Sequence, residues 1–360
     1  MTSIDRLAEL GTTTWLDDLS RERLDSGNLA SIIEEKSITG VTTNPSIFKA
    51  AMTSGTSYDE QIAELKGEGA AADDAVYAMS IADVQRACDV LRPVFDRTDG
   101  EDGRVSIEVD PRLADDGQET FAQALGLWSE VDRPNAMIKI PATPESLPAI
   151  EGALAEGVSV NVTLIFSVER YREVIAAYKR GIERAKNDGR DVSQIRSVAS
   201  FFVSRMDTEV DKRLEAVGGN ALELRGLAGL ANARAAYALF ESEFGEDAGL
   251  PEGAHPQRPL WASTGVKNPD YPATLYVAGL AGPRTVNTMP EKTIDATLDS
   301  DVELSDTLSG SGPAARETLE KIRQAGVDLD DVTAVLEREG VEKFVAAWKE
   351  LLDSMAERLS

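Results

Sequence analysis

Residues 136–141 read Ala136-Met137-Ile138-Lys139-Ile140-Pro141, and the direction in which the lysine points decides the reading of the fold. The run is apolar and strand-like, and it ends at a proline, which carries no backbone donor to continue a ladder. Alternation along a strand sends Ile138 and Ile140 to one face and Lys139 to the other. With the isoleucines against a layer of helices, Lys139 points into the interior of a sheet closed on itself. A charged amine there must be paired, neutral or reacting, because desolvation disfavours the ammonium form. A free amine condenses with a carbonyl substrate to a Schiff base, and that chemistry leads the reading of the chain.

Outward from this run, short β-branched or apolar segments alternate with longer amphipathic ones. The predicted strands are 12–17, 40–43, 104–109, 136–140, 158–164, 196–203, 259–263 and 285–289. Helical patterns cover 19–36, 75–95, 119–131, 168–187 and 227–244. Such alternation predicts parallel βαβ units, and eight of them predict an α/β fold, a (β/α)8 barrel of the TIM type with additional helices. A doubly wound open sheet is the alternative, but its glycine-rich dinucleotide turn is absent after the first strand. Residues 1–360 therefore read as a single barrel domain with a helical insertion near 54–98. The stretch 243–258 reads as a loop, and helices near 313–359 are expected to wrap the outside of the barrel.

Composition removes several classes of function. The net charge is -26, which repels nucleic acid and acidic membrane surfaces, so neither is an expected partner. An anionic substrate would need a local basic site to overcome that field. No apolar run approaches the roughly 20 residues that span a bilayer. Residues 1–10, with Asp5 and Glu9, lack the basic-then-apolar pattern of a signal peptide, so a cytoplasmic protein is expected. The chain has one cysteine and one histidine. Cys88 reads as a small buried residue on a helix, and His255 as a loop residue in the Pro/Gly-rich stretch 249–256. A His- or Cys-rich metal site cannot be built, and a Ser-His-Asp or Cys-His nucleophile is improbable. Chemistry falls to Lys, Asp, Glu, Asn, Ser, Thr, Tyr and Arg.

Active sites of such barrels form at the carboxyl ends of the strands. Unusual polar residues collect there: Asp17, Asn44, Glu108, Lys139, Asn161 with Thr163, Ser200 with Arg205, and Ser263 with Lys267. Glu108 lies in Ser106-Ile107-Glu108-Val109, where alternation points it inward; it either shuttles protons for an iminium or forms a structural ion pair with Lys139 or an arginine. Asp17 suits deprotonation of a hydroxyl during carbon–carbon cleavage, with Asp18 the competing register. Asn44, in Val41-Thr42-Thr43-Asn44-Pro45-Ser46, either holds a substrate hydroxyl or caps the following helix. Asn161 and Thr163 share one strand face; they either bind a hydroxyl and a catalytic water or satisfy each other inside the barrel. The Arg205 guanidinium has the geometry for bidentate phosphate binding.

With these residues in place, the chain resembles the transaldolase family. The likeness runs in order through Trp15-Leu16-Asp17-Asp18-Leu19-Ser20-Arg21, Val41 to Ser46, Ile107-Glu108-Val109-Asp110, Ile138-Lys139-Ile140-Pro141, Asn161 to Ser167 and Ser200 to Arg205. Trp261 to Pro269 and Gly282 to Pro290 extend it. The resemblance implies a cofactor-free, cytoplasmic transferase of aldehyde or ketone residues in the non-oxidative pentose phosphate pathway. It would move a dihydroxyacetone unit from sedoheptulose 7-phosphate to glyceraldehyde 3-phosphate, giving erythrose 4-phosphate and fructose 6-phosphate. In that scheme Lys139 forms the Schiff base, and Glu108 acts through a water held by Thr163. Asp17 takes the hydroxyl proton, Asn44 and Asn161 hold the dihydroxyacetone moiety, and Ser200 and Arg205 bind the distal phosphate. Many relatives carry a second phosphate-binding arginine after the seventh strand; here the nearest cation is Lys267, at a different spacing, and it is expected to replace that arginine. A monomer or homodimer is expected.

Two rivals remain at this level. A small aldolase of the same superfamily would release dihydroxyacetone, but those chains are short, with glutamine in place of Glu108 and tyrosine in place of Phe202. A non-catalytic sugar-phosphate-binding barrel would have no need of Lys139, Glu108 and Asp17 together.

Overall fold

Eight parallel strands close on themselves in sequence order, with the last pairing back onto the first. They are β1 Thr12–Asp17, β2 Gly40–Thr42, β3 Arg104–Glu108, β4 Ala136–Pro141, β5 Val160–Ile165, β6 Ser197–Phe202, β7 Arg258–Ala262 and β8 Thr285–Met289. The computed structural model describes residues 2–245 and 248–360. Met1 of the N-terminal stretch, and Glu246 and Asp247 of the expected loop, lie outside the described residues. The barrel expected from the alternation is the one the chain forms; β1 and β8 begin and end as read from the sequence, and the other strands differ by one or two residues.

The pleat separates two apolar layers. Leu16, Ile107, Ile138, Ile140, Val162 and Phe201 belong to a shell packed against the helices. Trp15, Met137, Val198, Leu260 and Val286 fill the interior. Strands buried on both faces are what a parallel barrel requires. Lys139 alternates with Ile138 and Ile140 and so shares the interior face with Met137.

The helical readings hold with changes at their ends. Val168–Asn187 is one helix as expected, whereas 19–36 divides into Arg21–Asp25 and Asn28–Glu35. The break is at Gly27, whose φ of 74° is a left-handed conformation that glycine adopts without steric cost. Between β2 and β3 lie Pro45–Thr53 and, in the stretch near 54–98 read as an insertion, Asp59–Glu68 and Ala72–Arg97. Cys88 is buried on the last of these, and burial pushes its thiol well above the usual range.

The C-terminal helices differ from expectation in a way that concerns the site. Gly312–Gln324 packs on the flank helix Ala228–Glu243, but the 31-residue terminal helix Leu329–Leu359 crosses the carboxyl end of the barrel. It touches Pro45–Thr53, Ala72–Arg97, Ser204–Val217 and β5. Its apolar stripe, through Leu336, Gly340, Phe344 and Trp348, is legible as periodicity, but periodicity does not say what the stripe faces. Gly340 settles the approach: a Cβ there would meet Leu164 at 3.2 Å and Phe166 at 3.3 Å, so the helix lies close on the end of β5.

At the opposite end, Arg104, Arg196 and Arg258 are buried near the strand starts. Arg258 pairs with Glu101 at 2.7 Å and Asp102 at 3.1 Å, and Trp15 Nε1 donates to Asp102 at 2.9 Å. Among the described residues no helix is long and apolar enough to cross a membrane.

Candidate active site

Lys139 and Glu108 sit opposite each other across the β3–β4 ladder, and the next rung pairs Lys139 with Asn161 of β5. Lys139 Nζ lies 2.8 Å from Glu108 Oε1, but its directed hydrogen bond runs to the Thr43 carbonyl oxygen at 2.6 Å. The Thr43 hydroxyl is 2.8 Å from Glu108 Oε2. Glu108 Oε1 accepts no well-aligned hydrogen bond. Burial raises the Glu108 carboxyl above its ordinary value, against the opposing pull of Lys139 and Thr43. The ion pair expected of Glu108 is present in the geometry, with Oε1 beside the Lys139 amine and Oε2 accepting from the Thr43 hydroxyl.

Thr163 is the more telling residue. Its hydroxyl is buried and has no hydrogen-bond partner, a state that costs about 1–3 kcal/mol where nothing compensates it. Thr163, Glu108 and Lys139 line one cavity of about 10 Å³ together with Pro45, Leu164, Val341 and Phe344. That volume is close to the space of a single water. A wider groove of about 660 Å³ lies outside the barrel between Val168–Asn187, Ala228–Glu243 and Gly312–Gln324, and holds none of the predicted site residues. Chemistry, not size, marks the site.

Asp17 is the inward acid of β1. It accepts a 2.7 Å hydrogen bond from Thr42, whose hydroxyl also meets Thr288 at 2.6 Å. Asp18 instead faces Arg23 at 2.7 Å on the outer surface, which closes the competing register. Burial raises the Asp17 carboxyl, while Lys139 and, more weakly, Lys267 favour its anion.

Asn44 caps helix Pro45–Thr53, its Oδ1 accepting from the backbone of Ser46 and Ile47 at 3.0 and 3.1 Å. The cap uses the oxygen, and the amide NH2 makes no hydrogen bond among the described residues. Asn161 and Ser200 are turned to each other: Ser200 donates to Asn161 Oδ1 at 2.7 Å, and Asn161 Nδ2 donates to Ser106 at 3.0 Å. These two satisfy one another within the barrel, unlike Thr163.

Arg205 and Lys267 form a cationic side of the mouth. Arg205 follows β6, with its guanidinium 5.2 Å from the Phe202 ring centre and Nη1 buried without a partner. Lys267 follows β7 and pairs with no carboxylate among the described residues. Burial lowers both groups from their ordinary values; Lys292 and Arg205 lower Lys267 further by repulsion. Two cations without carboxylate partners among the described residues, near enough for Arg205 to repel the Lys267 charge, give this end a local positive side in a chain of net charge -26. Among the described residues no group of three or more His, Cys, Asp or Glu is arranged to hold a metal ion.

Sequence reasoning missed Thr43, Thr42 and Ser106, which orient Glu108, Asp17 and Asn161. The run Val41-Thr42-Thr43-Asn44 held the signal, since hydroxyls at a strand end are placed to bond inward acids. It also missed Leu164, Val341 and Phe344.

The sequence pattern that defines the family described as Transaldolase/Fructose-6-phosphate aldolase matches residues 14–355. A transaldolase of Mycolicibacterium paratuberculosis is 58% identical over 358 residues, covering 98% of this chain and 96% of its own length. One of Mycolicibacterium smegmatis is 57% identical, covering 97% and 95%. One of Saccharopolyspora erythraea is 55% identical, covering 99% and 98%.

Proposed function

The chain belongs to the transaldolase/fructose-6-phosphate aldolase family and its activity is that of a transaldolase, and we propose that Lys139 is the Schiff-base residue through which it works. The donor in this reading is sedoheptulose 7-phosphate and the acceptor glyceraldehyde 3-phosphate. The observation that carries it is the Lys139–Glu108 pair beside the unpartnered Thr163 hydroxyl in one small cavity at the strand ends.

Lys139 Nζ adds to the ketose C2, and its proton passes by way of Glu108 to the carbinolamine hydroxyl, which leaves as water. A water between Glu108 and Thr163 completes that relay. Asp17 takes the C4 hydroxyl proton as the C3–C4 bond breaks. Erythrose 4-phosphate departs, and the electron pair stays in an enamine on Lys139. The enamine adds to the aldehyde carbon of glyceraldehyde 3-phosphate, Asp17 returns the proton, and hydrolysis releases fructose 6-phosphate. Burial raises both carboxyls, which favours their holding a proton in transit. Arg205 and Lys267 take the distal phosphate, and Asn44 and Asn161 the dihydroxyacetone hydroxyls; Ser200, expected at the phosphate, instead donates its buried hydroxyl to Asn161 and so supports the dihydroxyacetone end.

The test is product analysis. With both substrates, erythrose 4-phosphate and fructose 6-phosphate should appear in equal amounts without free dihydroxyacetone. Release of dihydroxyacetone from fructose 6-phosphate alone, as fast as transfer, would favour the lyase reading; no turnover would favour a binding barrel. We further propose cytoplasmic residence as a monomer or homodimer.

A further inference from the structure

An enamine on Lys139 has two fates. It can attack an aldehyde, which is transfer. Alternatively it is protonated at carbon, water adds to the iminium carbon, and the C–N bond breaks to free dihydroxyacetone and the lysine amine. The balance depends on how much water reaches the site.

We propose that Phe344 of the terminal helix, seconded by Val341, is a specificity-determining residue that holds this balance toward transfer by roofing the Lys139 cavity against bulk water. The proposal rests on the Schiff-base reading above. Phe344 and Val341 line the same cavity as Lys139, Glu108 and Thr163, and the side chains that complete its walls are mostly apolar. The cavity, at about 10 Å³, offers the space of about one water beside Lys139, Glu108 and Thr163.

Two features of the chain put the roof there. The β5 register shifts between Val162 and Ile165, and Leu164 has a φ of 61°, a conformation a leucine adopts at a cost of about 1–3 kcal/mol. Plain alternation from Asn161 and Thr163 would turn Leu164 to the helices; the bulge brings it into the cavity beside Thr163. The helix then closes on Leu164 because Gly340 has no Cβ to hold it off. Glu337, one turn earlier, is tied to Arg170 at 3.2 Å, so the roof is anchored beside the site. A strained bulge, a close-contact glycine and an aromatic side chain all act on one compartment whose polar members are the proposed water relay.

The experiment uses the full chain with fructose 6-phosphate as donor and erythrose 4-phosphate as acceptor. Free dihydroxyacetone is measured against sedoheptulose 7-phosphate formed, and borohydride trapping reports the adduct on Lys139. Phe344→Ala should raise the ratio of free dihydroxyacetone to transfer product about tenfold with the Lys139 adduct still formed, and Phe344→Leu should bring it back near wild type. An unchanged ratio in Phe344→Ala with the adduct intact overturns the proposal. Should Phe344→Ala fail to fold, Val341→Ala makes a smaller cut in the same wall: a raised ratio supports the proposal, and a wild-type ratio overturns it. Absence of any Lys139 adduct in the active wild-type enzyme is a different failure. It removes the Schiff-base reading, and the roof's role with it.

Discussion

The two ends of the barrel both bury charge, and they do so in opposite ways. At the floor, Arg258 is bound to Glu101 and Asp102, and Arg196 to Glu101 and backbone carbonyls. Arg104 is held by the Gly100 carbonyl and the Ser159 hydroxyl. The charges there have fixed protein partners, which is how a buried ion is kept from destabilising a fold. At the mouth the bookkeeping is left open: Thr163 Oγ1 and Arg205 Nη1 are orphaned, Glu108 Oε1 accepts no aligned bond, and Lys267 has no carboxylate among the described residues. Unpartnered buried polar atoms occur elsewhere too, Asn135 Oδ1 and Gln257 Oε1 near the floor among them, but at the mouth they include a guanidinium and a carboxylate oxygen, charged groups that a substrate can engage. The floor is structure, and the mouth is chemistry.

The contrast is broken most severely through Lys139. Lys139→Met should lower kcat/KM by about 10⁴-fold or more, with only a small loss of stability, because a raised Glu108 carboxyl can take a proton once its partner is gone. At the floor, Arg258→Met leaves the buried Asp102 without a cation, while Glu101 keeps Arg196, and should cost about 3–5 kcal/mol in denaturant unfolding, while the folded fraction keeps its kcat/KM. If the floor variant were the inactive one and the mouth variant the unstable one, the division would be wrong.

Thr163→Val sharpens the point with one atom. Losing the hydroxyl should cut kcat by about 10²-fold, yet leave the unfolding midpoint unchanged or raised, since no partner is orphaned by it. Arg205→Gln should raise KM for phosphorylated substrates by about 10- to 100-fold, with a lesser effect for Lys267→Gln, whose ammonium acts as a point charge. An equal loss with an unphosphorylated ketose would count against phosphate binding.

The smallest expected effect is in the pH dependence of stability. Burial holds the Glu108 carboxyl above its ordinary value, so the native chain binds a proton that the unfolded chain has released. That contribution is complete below about pH 4.5 and is lost as pH rises through the folded value. Glu108→Gln should therefore show a shallower decline in stability with rising pH than wild type; a steeper decline would place Glu108 among the ordinary stabilising ion pairs.

Much of this was legible before any coordinates. Period-two alternation around Lys139 and Glu108 gave their inward direction, and the strand–helix rhythm gave the barrel. Asp17 against Asp18 was not decided by pattern; the ion pair of Asp18 with Arg23 decides it, a contact between residues five apart that periodicity does not encode. Asn44 carried two readings, and its oxygen is used as a cap. The path of the terminal helix was invisible because an apolar stripe has no address. The turned Leu164 was invisible because a bulge breaks the very alternation used to read strands. The floor arginines were passed over because an isolated arginine in sequence has no sign of the carboxylate it will meet.

The central claim is that Lys139 is the covalent centre of a three-carbon transfer. Incubating the active protein with fructose 6-phosphate and borohydride, then mapping peptides by mass, tests it directly. A reduced dihydroxyacetone adduct on the peptide containing Lys139, absent from Lys139→Met, is the predicted result. Active enzyme that carries no adduct, or carries it on another lysine, would contradict it.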